Sequence, residues 1–568
     1  MTLRKLFISL TLISTLGSFA GNIVKLKNAG AAMLNVFAYN ADGKLLNSGT
    51  GFYVTGNGIA VATYDVFKGA YRAEVIDNKG KKYNVLRICG ANSTTDMVKF
   101  TVDNGHNNDY FTITESPAEK DETLYMVKYS TNKKEVPTSI TISSDEAYNT
   151  YRYYHISAKN DAAYINCPLI NAEGVLIGLT QKNVDKKATT SCAIDSRFIN
   201  DLRISATSSL SGDLRKINIA KALPENAKDA LTYIYMLPAS DSITNSTAYN
   251  DFIAAYPEMP EGYVNRANYY AAQYKYKESE SDFLQAITKC GTDTTGMSSD
   301  AVHYQFSNAI YQAALSHGNE SEVYVNWNFK RAEEEATTAY QIMPHTLYLM
   351  QQGNCRYAQQ NYEGAYESYH QACNDPSFAS SDTYFYAARA LELTGRDSLM
   401  VLTLLDSCIA KLPKPVNARY ASYYLERSQR LINANRYREA VFDYNEYEKA
   451  VGPRNLNANF YYLREQAEME AHMYQQALDD IRTAIATSST PQLFRLEEAY
   501  ILLRVGEFQM AVDAAKNLLA ELPENPDCYK IIGISYGELG HKADALKNLQ
   551  KAQELGDTTV TTFIEKYK

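Results

Sequence analysis

Ala477, Ala511 and Ala545 stand 34 residues apart, each near the start of the second helix of a hairpin-like pattern: Tyr474-Gln475-Gln476-Ala477, Phe508-Gln509-Met510-Ala511 and His541-Lys542-Ala543-Asp544-Ala545. A fixed period of this size restricts the fold severely, because one such unit cannot bury its apolar face alone and must stack on a neighbour. Gly506 and Gly540 precede two of these alanines at the turn, and the pattern recurs upstream in Tyr362-Glu363-Gly364-Ala365 and Tyr437-Arg438-Glu439-Ala440. Pro344, Pro376, Pro413, Pro453 and Pro523 fall where helix pairs must end, since proline cannot continue a helix. Units are expected to begin near 260, 346, 381, 421, 458, 492 and 526, with a longer interrupted unit over 300–345 and a weaker pair near 228–257.

Ahead of the repeats the period is different. Residues 22 to about 205 carry short runs rich in Val, Tyr and Phe at 32–39, 51–54, 72–76 and 123–129, punctuated by Asp42-Gly43, Gly56-Asn57-Gly58 and Asn78-Lys79-Gly80. Closely spaced strands with such turns predict an all-β sandwich or barrel. Residues 206–225 read as the linker between a β domain at 21–205 and an all-α domain at 226–568. The first twenty residues have a basic start (Arg4, Lys5), an apolar run from Leu6 to Leu16 and a small-x-small end at Ser18-Phe19-Ala20, the layout of a secretory signal peptide. Export to a bacterial periplasm or the extracellular space is the expectation, with no transmembrane segment.

Formal net charge is −9, and removal of Arg4 and Lys5 makes the chain two units more acidic. An acidic chain with no basic stripe disfavours nucleic acid as a partner. The eight cysteines (89, 167, 192, 290, 355, 373, 408, 528) include no C-x-x-C, and the eight histidines form no short-range ligand pair, so no metal or cofactor is expected. Tyrosine is abundant, 46 against one tryptophan, which suits half-wet helix seams because each ring brings a hydroxyl that needs a partner.

In the last unit Tyr529, Gly533, Tyr536, Ala545, Leu549 and Ala552 occupy the consensus slots of the tetratricopeptide repeat, and the helical half resembles that family. The resemblance implies a superhelical solenoid of about eight helix pairs whose concave face, lined by the first helix of each pair, takes other proteins or extended peptides. The ninth position of successive units faces that groove in the family and is here Asn268, Asn354, Arg389, Gln429, Gln466 and Tyr500. Amides, a guanidinium and a phenol suit the backbone of a bound peptide, and they equally suit an idle solvated face.

Residues 49–70 read GTGFYVTGNGIAVATYDVFKGA; Thr95-Asp96-Met97-Val98, Pro168-Leu169-Ile170-Asn171, Gly174-Val175-Leu176-Ile177-Gly178 and Ala193-Ile194-Asp195-Ser196 follow. In this order the segments resemble trypsin-like serine proteases of the Deg type, which implies a chymotrypsin-like double β-barrel. The same resemblance puts Asp65 in the histidine slot, Asp96 in the aspartate slot and Ile165 in the nucleophile slot, with Ala163, Asn166 and Cys167 where the oxyanion-hole glycines would be. A protease of this kind needs a serine, a histidine to take its proton and an aspartate to orient the histidine. Only the orienting member survives, so no catalytic set is expected: a pseudoprotease barrel joined to a protein-binding array, an exported scaffold or adaptor. Cys167 is read as a buried structural thiol; His106 and His155 sit in no recognisable motif. The alternatives are an active serine or cysteine peptidase with a repeat docking domain, or a structural subunit of an envelope complex.

Overall fold

A computed structural model of the chain describes residues 22–104, 108–131, 136–161, 164–181, 189–238, 242–291, 296–316, 324–396 and 398–568. The signal segment at 1–20, His106 and Ala163 lie outside the described residues. Two compact units divide the chain, one reaching to Ala309 and the other starting at Ile310.

The first unit opens with two closed antiparallel barrels of six strands each. Barrel one holds β1 (Met33–Tyr39), β2 (Leu45–Tyr53), β3 (Ile59–Ala62), β4 (Arg72–Asp77), β5 (Lys82–Asn92) and β6 (Met97–Val102), in the order β1-β2-β3-β6-β5-β4. Barrel two holds β7 (Thr123–Met126), β8 (Thr138–Tyr148), β9 (Tyr151–Lys159), β10 (Pro168–Ile170), β11 (Leu176–Gln181) and β12 (Thr190–Asp195). Its order, β7-β8-β9-β12-β11-β10, repeats that of barrel one strand for strand. This is the double barrel expected of 21–205.

Period-2 alternation builds each core. Leu34, Val36 and Ala38 of β1 point into barrel one with Ala60, Val75, Ile88, Val98 and Phe100. Leu124, Ile142, Tyr154, Ile156 and Leu169 fill barrel two. A third apolar cluster draws on both barrels: Met33, Phe52, Val61 and Met97 from the first, Ile170, Leu176, Leu179 and Ile194 from the second. Phe111 of the connecting segment meets Phe52 edge to face there, with ring centroids 5.7 Å apart.

One turn, α1 (Tyr64–Phe67), follows β3. After barrel two the chain enters 206–225, which the structure shows packed rather than tethering. It contains α2 (Gly212–Arg215), and Leu214, Ile217 and Ile219 join the core of barrel one. The Ile88 N–H donates to Ala220 O at 2.8 Å, and the Ala222 N–H to Ile88 O at 2.9 Å. Two further helices, α3 (Ala227–Tyr235) and α4 (Ser242–Ala255), extend the same core through Tyr233, Ile234, Tyr249 and Phe252. Arg87 of β5 adds an ion pair to Asp251 of α4 at 2.7 Å. The compact unit therefore does not end at the change of period near 226, because apolar side chains beyond it complete the barrel's core.

Among the described residues the rest is helical and strongly periodic: α5 (Pro260–Ala272) with α6 (Tyr276–Lys289), then α7 (Ser299–Ser316) and α8 (Phe329–Ile342), α9 (Thr346–Ala358) with α10 (Tyr362–Cys373), α11 (Ser381–Leu393) with α12 (Ser398–Ala410), α13 (Ala418–Asn433) with α14 (Tyr437–Val451), α15 (Ala458–Glu470) with α16 (Tyr474–Thr487), α17 (Gln492–Arg504) with α18 (Phe508–Leu519), α19 (Pro526–Glu538) with α20 (Lys542–Glu554), and a terminal α21 (Thr561–Tyr567). Helix starts at 260, 346, 381, 458, 492 and 526 match the expected unit starts; the unit expected near 421 begins at 418. Tyr274, Gln360, His472, Gly506 and Gly540 each stand two residues before a second helix with positive φ. The turn geometry is thus common to these units, although only two of these turns carry the glycine that relieves it.

One slot in the middle of the first helix sets how closely a pair can approach. It holds Ala267, Gly353, Ala388, Ser428, Glu465, Ala499 and Gly533 in successive regular units. A Cβ at Gly533 would lie 2.7 Å from Leu549 of the paired helix, and one at Gly353 only 2.4 Å from Tyr369. Glu465 breaks this pattern of small residues. It is 0% exposed, and neither carboxyl oxygen has a hydrogen-bond partner.

A second recurring element is ionic. Arg266 with Asp282, Arg427 with Asp443 and Arg464 with Asp480 are each 16 residues apart and join the two helices of a pair by two guanidinium–carboxylate bonds of 2.6–2.8 Å. Arg464 also donates to Asn445 (2.8 Å) and Glu448 (2.6 Å) of α14, so one buried side chain ties three helices. Bidentate geometry makes such a pair a specific gauge of helix register.

Two outcomes follow for the array. Arg464→Leu strands Asp480 as a buried unpaired carboxylate and is expected to cost about 3–5 kcal/mol by urea unfolding, much of it recovered in the Arg464→Leu/Asp480→Leu double variant. If both variants lose the same amount, the bond is not the cause. For Glu465, burial first, then Glu497, Glu468 and Asp480, push the carboxyl up to about 8 from its usual 4.5. The unfolded chain gives up this proton near the lower value while the folded chain keeps it, so stability falls as pH rises from roughly 4.5 to about 8. Glu465→Ala, which restores the small slot, should therefore stabilise on the order of 3 kcal/mol more at pH 8 than at pH 5. An equal gain at both pH values would refute the buried-acid account.

Candidate functional site

The positions aligned with a protease triad converge on one cleft of about 490 Å³, lined by Asn47, Ser48, Gly49, Thr50, Thr63, Asp65, Val66, Lys68, Asp96 and Ile165. Each arrives by a local device. Asp65 follows the buried Thr63 in the first turn of α1, where its exposed carboxylate suits the positive end of the turn. Asp96 sits between β5 and β6 with φ of 48°, in the left-handed region that aspartate tolerates better than most residues. Its Oδ1 accepts the Asp65 N–H at 3.0 Å, and Asn47 Nδ2 donates to Asp65 O at 2.9 Å. The aspartate thus holds the backbone of the neighbouring turn, where a protease would use it to orient an imidazole.

Ile165 comes from the other barrel, on the loop before β10. The adjacent Asn166 is buried with φ of 54°, and its Nδ2 donates across to Thr50 O of β2 at 2.7 Å. At two of the three positions aligned with oxyanion-hole glycines, Asn166 and Cys167, the N–H groups are occupied within the protein. Asn166 N–H donates to Thr180 O at 2.8 Å and Cys167 N–H to Thr180 Oγ1 at 2.8 Å. An oxyanion hole needs such donors turned toward the cleft. The Cys167 side chain lies in the core of barrel two, where burial pushes its thiol up to about 12. Among the lining residues there is no histidine or cysteine. A larger cleft of about 570 Å³, whose lining includes Lys25, Lys27, Lys79 and Lys128, contains none of the aligned positions.

The ninth-position residues of the repeats all fall in the middle of first helices. Asn268, on α5 of the first unit, is exposed. In the second unit Gln429, Gln466 and Tyr500 are exposed on α13, α15 and α17. Asn354 and Arg389 are already engaged: Asn354 Oδ1 accepts from the Tyr369 hydroxyl at 2.8 Å, and Arg389 pairs with Glu392 at 2.8 Å. Gln429 is engaged more weakly, its Nε2 donating to Asn433 Oδ1 at 3.4 Å, so the ladder of unengaged polar groups is shorter than its sequence register suggests.

Among the described residues no group of three or more His, Cys, Asp or Glu is placed to hold a metal ion, and no helix is long and apolar enough to cross a membrane. The clamping roles of Asn47 and Asn166 were not visible in sequence, because nothing local marks an amide that bonds a backbone 18 or 116 residues away. The chain matches no protein-family model and no curated protein.

If Asp96 serves the turn, Asp96→Ala should expose the Asp65 amide to rapid hydrogen exchange and cost about 1 kcal/mol of global stability. Unchanged protection of that amide would show that the bond does not hold α1.

Proposed function

We propose that the chain is an exported adaptor in which a trypsin-like barrel of the Deg type, no longer a peptidase, is joined to a tetratricopeptide array that holds other polypeptides. The observation that carries the first half is the cleft itself. At the three aligned slots it presents a carboxylate bonded to a turn, a second carboxylate and an isoleucine. An aspartate in the histidine slot is a poor proton acceptor for a hydroxyl at neutral pH, and isoleucine has no nucleophile to activate. The hydroxyls that remain, Ser48, Thr50 and Thr63, belong to the opposite barrel wall and have no imidazole among the residues lining the cleft.

The second half is supported by the register of the helix pairs and by Gln429, Gln466 and Tyr500. These present two amides and a phenol at equivalent exposed positions on first helices. Such groups donate and accept in turn, which suits main-chain amides of an extended segment better than a charged or apolar ligand.

The test uses the full mature chain. A photo-crosslinking residue at Gln429 or Gln466 is expected to yield polypeptide adducts in the native cell, and the same residue at the exposed Lys547 on α20 is not. In parallel, casein turnover and labelling by serine- and cysteine-directed probes are read by peptide mapping. Casein cleavage together with a label on a residue of the cleft would establish the peptidase reading instead.

A further inference from the structure

Outside the cleft, on the outer face of barrel two, three neighbouring strands bring a thiol, an imidazole and a carboxylate into line. In the β12–β9 ladder Cys192 is directly opposite His155, at a point where the register shifts between Thr190 and Cys192. Tyr154 and Ile156 point into the barrel core, so alternation turns Tyr153 and His155 outward. Ala193 points inward in the same way, which puts Cys192 on the outer face. Glu146 of β8 pairs with Tyr153 in the adjacent ladder, diagonal to His155. The Cys192 Sγ is 3.6 Å from His155 Nδ1, and His155 Nε2 is 3.0 Å from Glu146 Oε1.

The chain of contacts sets the tautomer. A carboxylate can only accept, so Nε2 carries the proton toward Glu146 and Nδ1 presents its lone pair to the thiol. This is the arrangement of a nucleophile, its base and the group that orients the base. Tyr153 also hydrogen-bonds the sulfur. We propose that Cys192 is a peroxide-reactive thiol, oxidised to a sulfenic acid with His155 as its base and Glu146 as the positioning residue.

The size of the reagent follows from burial. Cys192 is 4% exposed, while the His155 side chain beside it is 35% exposed. A small neutral oxidant such as hydrogen peroxide fits that access better than a bulky electrophile. Burial also pushes the thiol up, so the proton stays on sulfur until attack and a base in contact is needed at that moment. In the step, sulfur attacks one peroxide oxygen, forming the S–O bond as the O–O bond breaks. The thiol proton passes through His155 Nδ1 to the departing hydroxide, giving water. Sulfur loses two electrons and the peroxide gains them, leaving Cys192 as the sulfenic acid.

None of these residues lines the cleft, so the proposal stands whether or not the barrel cuts polypeptides. The full chain is treated with substoichiometric hydrogen peroxide for timed intervals, quenched with catalase and unfolded in urea containing dimedone, so that the trapping reagent reaches all eight cysteines equally, and adducts are followed by peptide mapping. Cys192 is expected to be trapped at least about tenfold faster than the half-buried Cys89 and Cys290. His155→Gln should slow it by about tenfold, and Cys192→Ser should remove that adduct alone. Glu146→Gln, which keeps an acceptor, should retain more of the rate than Glu146→Leu. The Glu146 side chain is 71% exposed, so these variants remain informative even if the His155 change perturbs folding. Trapping at Cys192 no faster than at Cys89 and Cys290 overturns the proposal, as does a rate unmoved by both His155→Gln and Glu146→Leu.

Discussion

Two helices of a hairpin approach only as closely as the side chains between them permit, and the helical half of this protein depends on that distance. Alanine, glycine or serine fills the contact slot in the other regular units, and at Gly353 and Gly533 even a single Cβ would collide with the facing helix. Close approach brings the guanidinium of Arg427 or Arg464 within bonding distance of the aspartate across the pair. The Arg464 network then reaches back to the preceding helix, so packing within one pair also fixes the next pair's placement. Glu465 marks the point where this economy fails, a carboxylic acid kept neutral by its surroundings in a place made for a methyl group or less.

The barrels depend on a comparable constraint. Each closes on its own core, yet a third apolar cluster takes residues from both, and the cleft with the aligned slots is itself lined from both, Ile165 coming from the second barrel. Asn166 spans the two barrels with one hydrogen bond, its side-chain Nδ2 donating to Thr50 O. A catalytic loop has to leave backbone donors unsatisfied so that a substrate can use them. Here Thr180 takes both the Asn166 and the Cys167 N–H groups, which favours a rigid wall over a reactive one.

Much of this was legible from residue patterns. Helix starts at 346, 381, 458, 492 and 526 follow from alanines, turns and prolines in register, and the strands at 33–39 and 72–77 follow from Val and Phe between glycine turns. The slots Asp65, Asp96 and Ile165 were named from the order of short motifs, and the fold brings all three to one cleft. Residues 206–225 read as a linker because Leu214, Ile217 and Ile219 are too sparse to form a period, and each finds a place in the barrel core. The positive-φ turns at Tyr274, Gln360 and His472 carry no glycine to announce them.

Period and composition by themselves determined where helices and strands run and how many units stack, since those follow from local preference and a repeating apolar face. Tertiary structure decided which polar groups are spent and which remain available. Asn354 and Arg389 look like groove residues until their partners Tyr369 and Glu392 are seen, and Cys192, His155 and Glu146 look unrelated until strand register sets them side by side. The reason is range: a hydrogen bond acts over about 3 Å, and a linear chain does not reveal which distant residues folding will bring that close.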